Sequence, residues 1–261
     1  RVLFVAHREE ILIQAEEAFR KVRGDGKYGF FYGDKKDDDC EVLFATVQTL
    51  GKSEYLCDKW FPRDYFDYIV VDEFHHAAAD TYKRIIRYFT PDFLLGLTAT
   101  PDRLDDKNIY EICDYNVVYD VRLKEAVNKG WLVPFRYYGI YDGTVNYDGI
   151  SYAHGKYDEE ELEKELMIPQ RGDLVYHNYS KYNCKRALAF CSTKKHAEYM
   201  AEFFQNRGVR AAAVYSGTDG EYNLDRKEAL EELKDGRLQI IFSVDMFNEG
   251  LDVKNIDMVL F

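Results

Sequence analysis

Proline is scarce in this chain, with five among 261 residues, and no stretch of about eighteen consecutive apolar residues occurs anywhere in it. Without such a stretch nothing reads as a membrane-spanning helix. The first residues, Arg1 and then an apolar strand, also lack the pattern of a secretory signal. Cysteine is limited to Cys40, Cys57, Cys113, Cys184 and Cys191, an odd number with no Cys-x-x-Cys pair. That usage speaks against a disulfide framework and a structural zinc, and it suits a reducing compartment, so a cytoplasmic location is expected. Positive charge is short as well: 35 Lys and Arg stand against 47 Asp and Glu, for a formal net charge of −12. A broad basic footprint is therefore missing. Any grip on nucleic acid has to come from backbone amides, helix N-termini and a few local cations.

Apolar residues make up 46% of the 261, enough for two domain-sized cores. Within them the run Tyr68-Ile69-Val70-Val71-Asp72-Glu73-Phe74-His75-His76 carries the most chemistry. An unbroken apolar run is how a strand buried on both faces of a parallel sheet reads. Asp72 then lies at the carboxyl end of that strand, the edge where open α/β sheets bind ligands. Two carboxylates there suit a Mg²⁺ held largely through water by Asp72, with Glu73 free to orient an attacking water. A solvated strand end with no role is the plain alternative. The neighbours decide between them: Leu95-Gly96-Leu97-Thr98-Ala99-Thr100-Pro101 is a second apolar run ending in small hydroxyl residues, one strand–helix–strand unit downstream.

At these residues the chain resembles the superfamily 2 helicases. Asp72-Glu73-Phe74-His75 is similar to their DExH box and Thr98-Ala99-Thr100 to motif III. Phe4-Val5-Ala6-His7-Arg8 resembles motif Ia, Ala45-Thr46-Val47-Gln48-Thr49-Leu50 motif Ib, Ala187-Leu188-Ala189-Phe190-Cys191 motif IV, and Asp245–Asp252 motif V. The six fall in family order along nearly the whole chain, and the subgroup they resemble includes type III restriction subunits and bacterial DNA helicases. The resemblance implies two RecA-like α/β lobes with parallel sheets, both incomplete. Residues 1–120 are expected to form the first, 121–183 a crossing segment, and 184–261 the second. It further implies ATP and Mg²⁺ as cofactors and a nucleic acid, DNA before RNA, as partner.

The resemblance also assigns roles. Asp72, Glu73 and His75 are expected in catalysis, with His75 linking the nucleotide to motif III, and Thr98 and Thr100 in coupling. Glu249, Gly250 and Asp252 are expected at the nucleotide, and His7, Arg8, Thr46, Gln48, Thr49, Ser243 and Asn248 at the nucleic acid. For the polar residues of motifs Ia and Ib, an N-cap or plain surface role weighs about equally. Ser216-Gly217 after a strand is either an amide site for phosphate or a simple turn.

Two family features are not found in the sequence. No Gly-x-x-x-x-Gly-Lys-[Ser/Thr] precedes the motif Ia strand, and the arginine-rich motif VI does not follow motif V, so a core cut at both ends is expected, with further domains of the same polypeptide beyond them. Thr46-Val47-Gln48-Thr49-Leu50-Gly51-Lys52-Ser53 is a poor substitute for the phosphate loop. Thr46 replaces its first glycine, and β-branched Val47 and Thr49 resist the backbone angles needed to wrap a phosphate. Two other functions compete with an ATP-driven motor. One is a clamp that grips nucleic acid without hydrolysis. The other is a metal-dependent nuclease using Asp72 and Glu73, with His75 and His76 as possible ligands, although adjacent histidines lack the i, i+4 face of a His-Glu-x-x-His helix.

Between these motifs the periodicity predicts strands at 1–6, 42–45, 68–72, 93–98, 117–121, 187–191, 211–215, 238–242 and 257–261. Helices are expected at 9–22, 81–89, 158–167, 173–182, 193–207 and 224–234. Tyr28–Gly33 reads as a glycine-rich aromatic stretch and 34–39 as a charged turn. Tyr137, Tyr138, Tyr141, Tyr147, Tyr152 and Tyr157, with Asp-Gly steps at 142–143 and 148–149, suggest a hairpin or an irregular aromatic segment; packing over an interlobe surface is favoured over base stacking.

Overall fold

The computed structural model describes residues 1–101, 109–217, 219–247 and 256–261, in two units, Arg1–Phe135 and Arg136–Phe261. In chain order the first unit contains β1 (Val2–Ala6), α1 (Glu9–Arg23), β2 (Tyr28–Tyr32), β3 (Lys35–Lys36), β4 (Val42–Thr46), α2 (Val47–Leu50), β5 (Tyr68–Val71), α3 (Asp80–Tyr88), β6 (Phe93–Gly96) and α4 (Leu123–Asn128). Its sheet runs β3-β2-β4-β1-β5-β6, parallel throughout except where β3 turns back on β2. Side chains alternate across the sheet. Leu3, Val5, Leu43, Ala45, Ile69 and Val71 join a core with Phe61, Phe66 and Ile85, while Phe4, Ala6, Val42 and Phe44 pack on Ile11 and Leu12 of α1. Burial on both faces is why these strands read as unbroken apolar runs.

The second unit contains β7 (Tyr152–Ala153), β8 (Lys156–Tyr157), α5 (Glu159–Leu166), α6 (Pro169–Ser180), β9 (Ala187–Phe190), α7 (Lys194–Gln205), β10 (Ala211–Val214), α8 (Arg226–Lys234), β11 (Ile240–Ser243) and β12 (Met258–Leu260). Its four-stranded sheet is all parallel, in the order β10-β11-β9-β12. The alanines of β9 and β10 leave room for Met200 and Phe204 of α7 on one face, and α8 covers the other through Ala229 and Leu233. Asp158, Thr193 and Asp225 cap α5, α7 and α8 by accepting backbone N–H bonds. Gly208 and Gly236, at φ 78° and 75°, end the latter two in the left-handed conformation that glycine adopts without penalty.

The structure corrects several expectations. Tyr28–Tyr32 is a strand, pairing in parallel with β4, and the turn after it holds the short β3. Its glycine disguised it: Gly29 lies where a Cβ would meet the Cys40 sulfur at 2.9 Å, so the residue marks close approach and not a loop. The strand expected at 117–121 is not one. Val118 is 77% exposed, and no strand among the described residues pairs with this segment; without a hydrogen-bonding neighbour an apolar run is not a strand. β5 and β6 stop at Val71 and Gly96, short of Asp72 and Thr98. The helix expected from 173 starts at Pro169, whose fixed φ suits a first helical position. The tyrosine-rich segment does form a hairpin, but it turns at His154 and Gly155, both at positive φ, and not at either Asp-Gly step.

Candidate active site

Strand register brings the predicted residues of the first unit to one edge. Ala6 pairs with Thr46, Val5 with Val71, and Val71 with Gly96, so His7, Thr46, Asp72 and Leu97-Thr98 all emerge at the carboxyl ends of neighbouring strands. The Asp72 N–H continues the ladder by donating to the Val5 carbonyl at 2.9 Å. The chain then turns sharply: Glu73 sits in the left-handed region at φ 48° and ψ 50°, and a short 3₁₀ turn, Phe74–His76, follows. A non-glycine residue there is strained, a cost of order 1 kcal/mol that the surrounding bonds must hold in place. They do so from both sides, since the Phe74 N–H donates to the Leu97 carbonyl at 2.8 Å and the His76 N–H to the Glu73 carbonyl at 2.9 Å. The turn drives the Phe74 ring into the core directly over Gly96, where an added Cβ would lie 2.4 Å from a ring carbon. Gly96→Ala is therefore expected to destabilise the unit by about 1–3 kcal/mol, measured by chemical denaturation; an unchanged midpoint would refute this account of the turn.

His75 joins the two predicted motifs. Its Nδ1 lies 3.1 Å from Thr98 Oγ1 and 3.3 Å from Glu73 Oε2. The first is a hydrogen bond whose direction depends on the imidazole tautomer, the second an ion-pair contact with the carboxylate. Thr98 Oγ1 also accepts from the Thr100 N–H at 3.1 Å, which places Thr100 in the same network through its backbone. Glu73 and His75 side chains are 18% and 11% exposed: sheltered, yet still open to a ligand.

The motif Ia and Ib residues lie beside this turn. Arg8 precedes α1, and its Nε donates to His7 Nε2 at 3.1 Å. Gln48 Nε2 donates to the His7 carbonyl at 3.0 Å, tying the α2 turn to the end of β1. Thr46 is buried and pairs with Thr49 through their hydroxyls at 2.9 Å. Glu9 and Glu10 occupy the first turn of α1, so its N-terminus is acidic apart from Arg8. The Gly-Lys-Ser segment is not a phosphate cradle in shape: Val47 and Leu50 are buried in one helical turn, and a Cβ on Gly51 would lie 2.7 Å from the Val47 carbonyl.

In the second unit Ser243 ends β11 fully buried, and its hydroxyl has no hydrogen-bond partner among the described residues. Asp245, two residues past the strand, repeats the left-handed conformation of Glu73 at φ 55°. Asn248, Glu249, Gly250 and Asp252 lie outside the described residues. Ser216 offers its carbonyl to Lys194 Nζ at 2.6 Å, and Gly217 turns at φ 107°.

Sequence reasoning missed two clusters. Asp142, Arg171 and the buried His196 form a partly buried chain, with Arg171 Nε 3.0 Å from Asp142 and its Nη1 3.2 Å from His196 Nε2; burial, aided by the guanidinium, pushes the imidazole down to about 4. The chain anchors the 142–144 segment beside α7. Near it, burial pushes the Cys191 thiol up to about 12, which leaves it unreactive. The other cluster is a row of rings, His75–His76 at 4.1 Å between centroids and His76–His7 at 6.0 Å. Only the Asp72–His76 run hinted at it. Among the described residues no three His, Cys, Asp or Glu side chains converge as a metal cage; Asp72 at the strand end fits the single-carboxylate, water-rich binding that Mg²⁺ favours.

Residues 1–103 match the family model described as "Type III restriction enzyme, res subunit", and residues 170–261 match "Helicase conserved C-terminal domain". Among relatives, IRC3 of Saccharomyces cerevisiae is 23% identical over 270 residues, covering 99% of this chain and 38% of that protein. The DNA 3'-5' translocase XPB2 of Sulfurisphaera tokodaii is 22% identical over 234 residues, 75% of this chain and 51% of its own length. The chain thus spans about half or less of these relatives. In structure it is similar to the Hef helicase domain of Pyrococcus furiosus, with a TM-score of 0.55 and 13% identity over 99% of this chain and 79% of that one, a likeness of fold. Two parallel α/β sheets, the colinear motifs and both family models identify the chain as a superfamily 2 helicase core of RecA-like fold.

Proposed function

We propose that the chain is the motor of an ATP-dependent DNA helicase or translocase of the DExH type, in which hydrolysis is coupled to closure of its two lobes. The observation that carries this reading is the placement of Asp72, Glu73 and Thr98 at one sheet edge, with the His75 Nδ1 in contact with both Glu73 and Thr98. Asp72 is the residue to hold Mg²⁺ through water, and the ion, when bound, neutralises charge on the transferred phosphate. Glu73 orients the attacking water. His75, Thr98 and Thr100 pass the state of the nucleotide onward, and Glu249, Gly250 and Asp252 are assigned to the nucleotide from the second lobe. The three-part division at 120 and 183 remains the proposed lobe organisation, with the longer polypeptide supplying the phosphate loop and the arginines.

Nucleic acid is assigned to His7, Arg8, Thr46, Gln48 and Thr49 in the first lobe and to Ser243 and Asn248 in the second. With a net charge of −12 and mostly neutral contacts, few phosphates are neutralised and few counterions released. The salt dependence of binding should therefore be shallow, with a log–log slope of roughly −2 to −4 instead of about −10. Fluorescence anisotropy of labelled single-stranded DNA, duplex DNA and RNA against salt, using the complete protein with and without a non-hydrolysable ATP analogue, measures it. Arg8→Ala should weaken binding alike across sequences, as for a phosphate contact. Absence of binding to every oligonucleotide at low salt, in both nucleotide states, removes the helicase reading.

A further inference from the structure

The three imidazoles at the edge of the first sheet form a continuous row. His75 touches Glu73 and Thr98 through Nδ1, at 3.3 and 3.1 Å. Its ring packs against His76 with centroids 4.1 Å apart and planes at 44°. His76 in turn meets the His7 ring edge-on at 6.0 Å and 67°, and leans on Tyr82 of α3 at 6.4 Å. His7 holds the far end: its Nε2 accepts from Arg8 Nε at 3.1 Å and its carbonyl from Gln48 Nε2 at 3.0 Å. Arg8 can only donate, so the His7 ring hydrogen is assigned to Nδ1 and its Nε2 is committed to the guanidinium.

We propose that His76 is a positioning residue whose ring mechanically links the DExH turn to Arg8 and Gln48, so that nucleic acid at motifs Ia and Ib and nucleotide chemistry at Glu73 sense each other within the first lobe. The inference rests on the reading above and adds to it a residue outside its catalytic and binding sets. Packed side chains at native density do not deform smoothly; a displaced ring forces its neighbour into another arrangement, and a strained turn held by two backbone bonds is poised to register it. Glu73 is such a turn. The rings meet at a tilt and edge-on, and no metal cage forms among the described residues, which favours contact over coordination. Because the link is one of shape, a flat ring should suffice at position 76 and a small side chain should not.

The test is ATPase of the complete protein with and without single-stranded DNA, with DNA affinity measured alongside. His76→Ala should lower the stimulation factor about fivefold or more, the scale of a coupling free energy near 1 kcal/mol, while unstimulated turnover and DNA affinity stay within about twofold of wild type. His76→Phe should restore the stimulation. A double-mutant cycle of His76→Ala with His7→Ala should be non-additive in the stimulation factor, since both break the same row. Full stimulation in His76→Ala, or loss in a folded His76→Phe protein, overturns the proposal; so does a fall of His76→Ala in basal rate and affinity in step with stimulation, which marks a merely structural role. Should His76→Ala fail to fold, His76→Phe and His7→Ala decide: lost stimulation in a folded His76→Phe protein, or full stimulation of His7→Ala at saturating DNA, defeats the link. A wild-type protein that binds no nucleic acid fails the functional reading itself, whereas a wild type that is stimulated, with His76→Ala stimulated equally, fails only the bridge.

Discussion

Glu73→Gln in the complete protein is expected to cut ATP hydrolysis by about 10²-fold or more while leaving ATP binding nearly unchanged. Glutamine keeps the size and one acceptor oxygen of the carboxylate but cannot take or steer a proton from water. It occupies the same left-handed backbone position at a similar cost, so the turn that presents the side chain should survive. Nucleotide affinity by fluorescence and single-turnover hydrolysis separate the two effects. Asp72→Asn is the contrast, because losing a Mg²⁺ partner should weaken metal-dependent binding as well as turnover. Near-normal hydrolysis in the Glu73 variant would show that the water is oriented by another group.

Residues 1–261 expressed alone should show negligible ATPase with or without nucleic acid, since phosphoryl transfer needs a lysine and backbone amides around the β- and γ-phosphates. The only Gly-Lys-Ser in the chain does not offer them. Val47 and Leu50 are sealed into the core, and Gly51 sits against the Val47 carbonyl and Thr81. Lys52 follows on an exposed turn. Lys52→Ala should accordingly change nothing in a coupled-enzyme assay of either the short chain or the complete protein. Steady turnover by the short chain, lost in Lys52→Ala, would make that segment the phosphate site.

Where a residue's environment follows from its chain neighbours, the sequence was a good guide. The unbroken apolar runs at 2–6, 42–46 and 68–71 are strands because both faces of the sheet are covered, and the helices close at Gly208 and Gly236 as their left-handed turns require. Where the outcome depended on a partner elsewhere, it was not. Tyr28–Tyr32 became a strand because β4 lies alongside, and 117–121 did not because nothing described pairs with it. Helix starts went the same way: Pro169 opens α6 four residues before its apolar pattern is clear.

The candidate site divides along the same line. Motif order and the apolar strand before Asp72 were enough to assign the family and to place Asp72, Glu73, His75 and Thr98 past the ends of β5 and β6, because those strand ends are written locally. The left-handed turn at Glu73, the contacts of His75 with Thr98 and Glu73, and the ring row through His76 to His7 had no local signature. They exist only because parallel register aligns the ends of β1, β5 and β6 and Gly96 admits the Phe74 ring. Side-chain type and spacing along the chain decide which chemistry is available; pairing and packing between distant segments decide which of those groups touch.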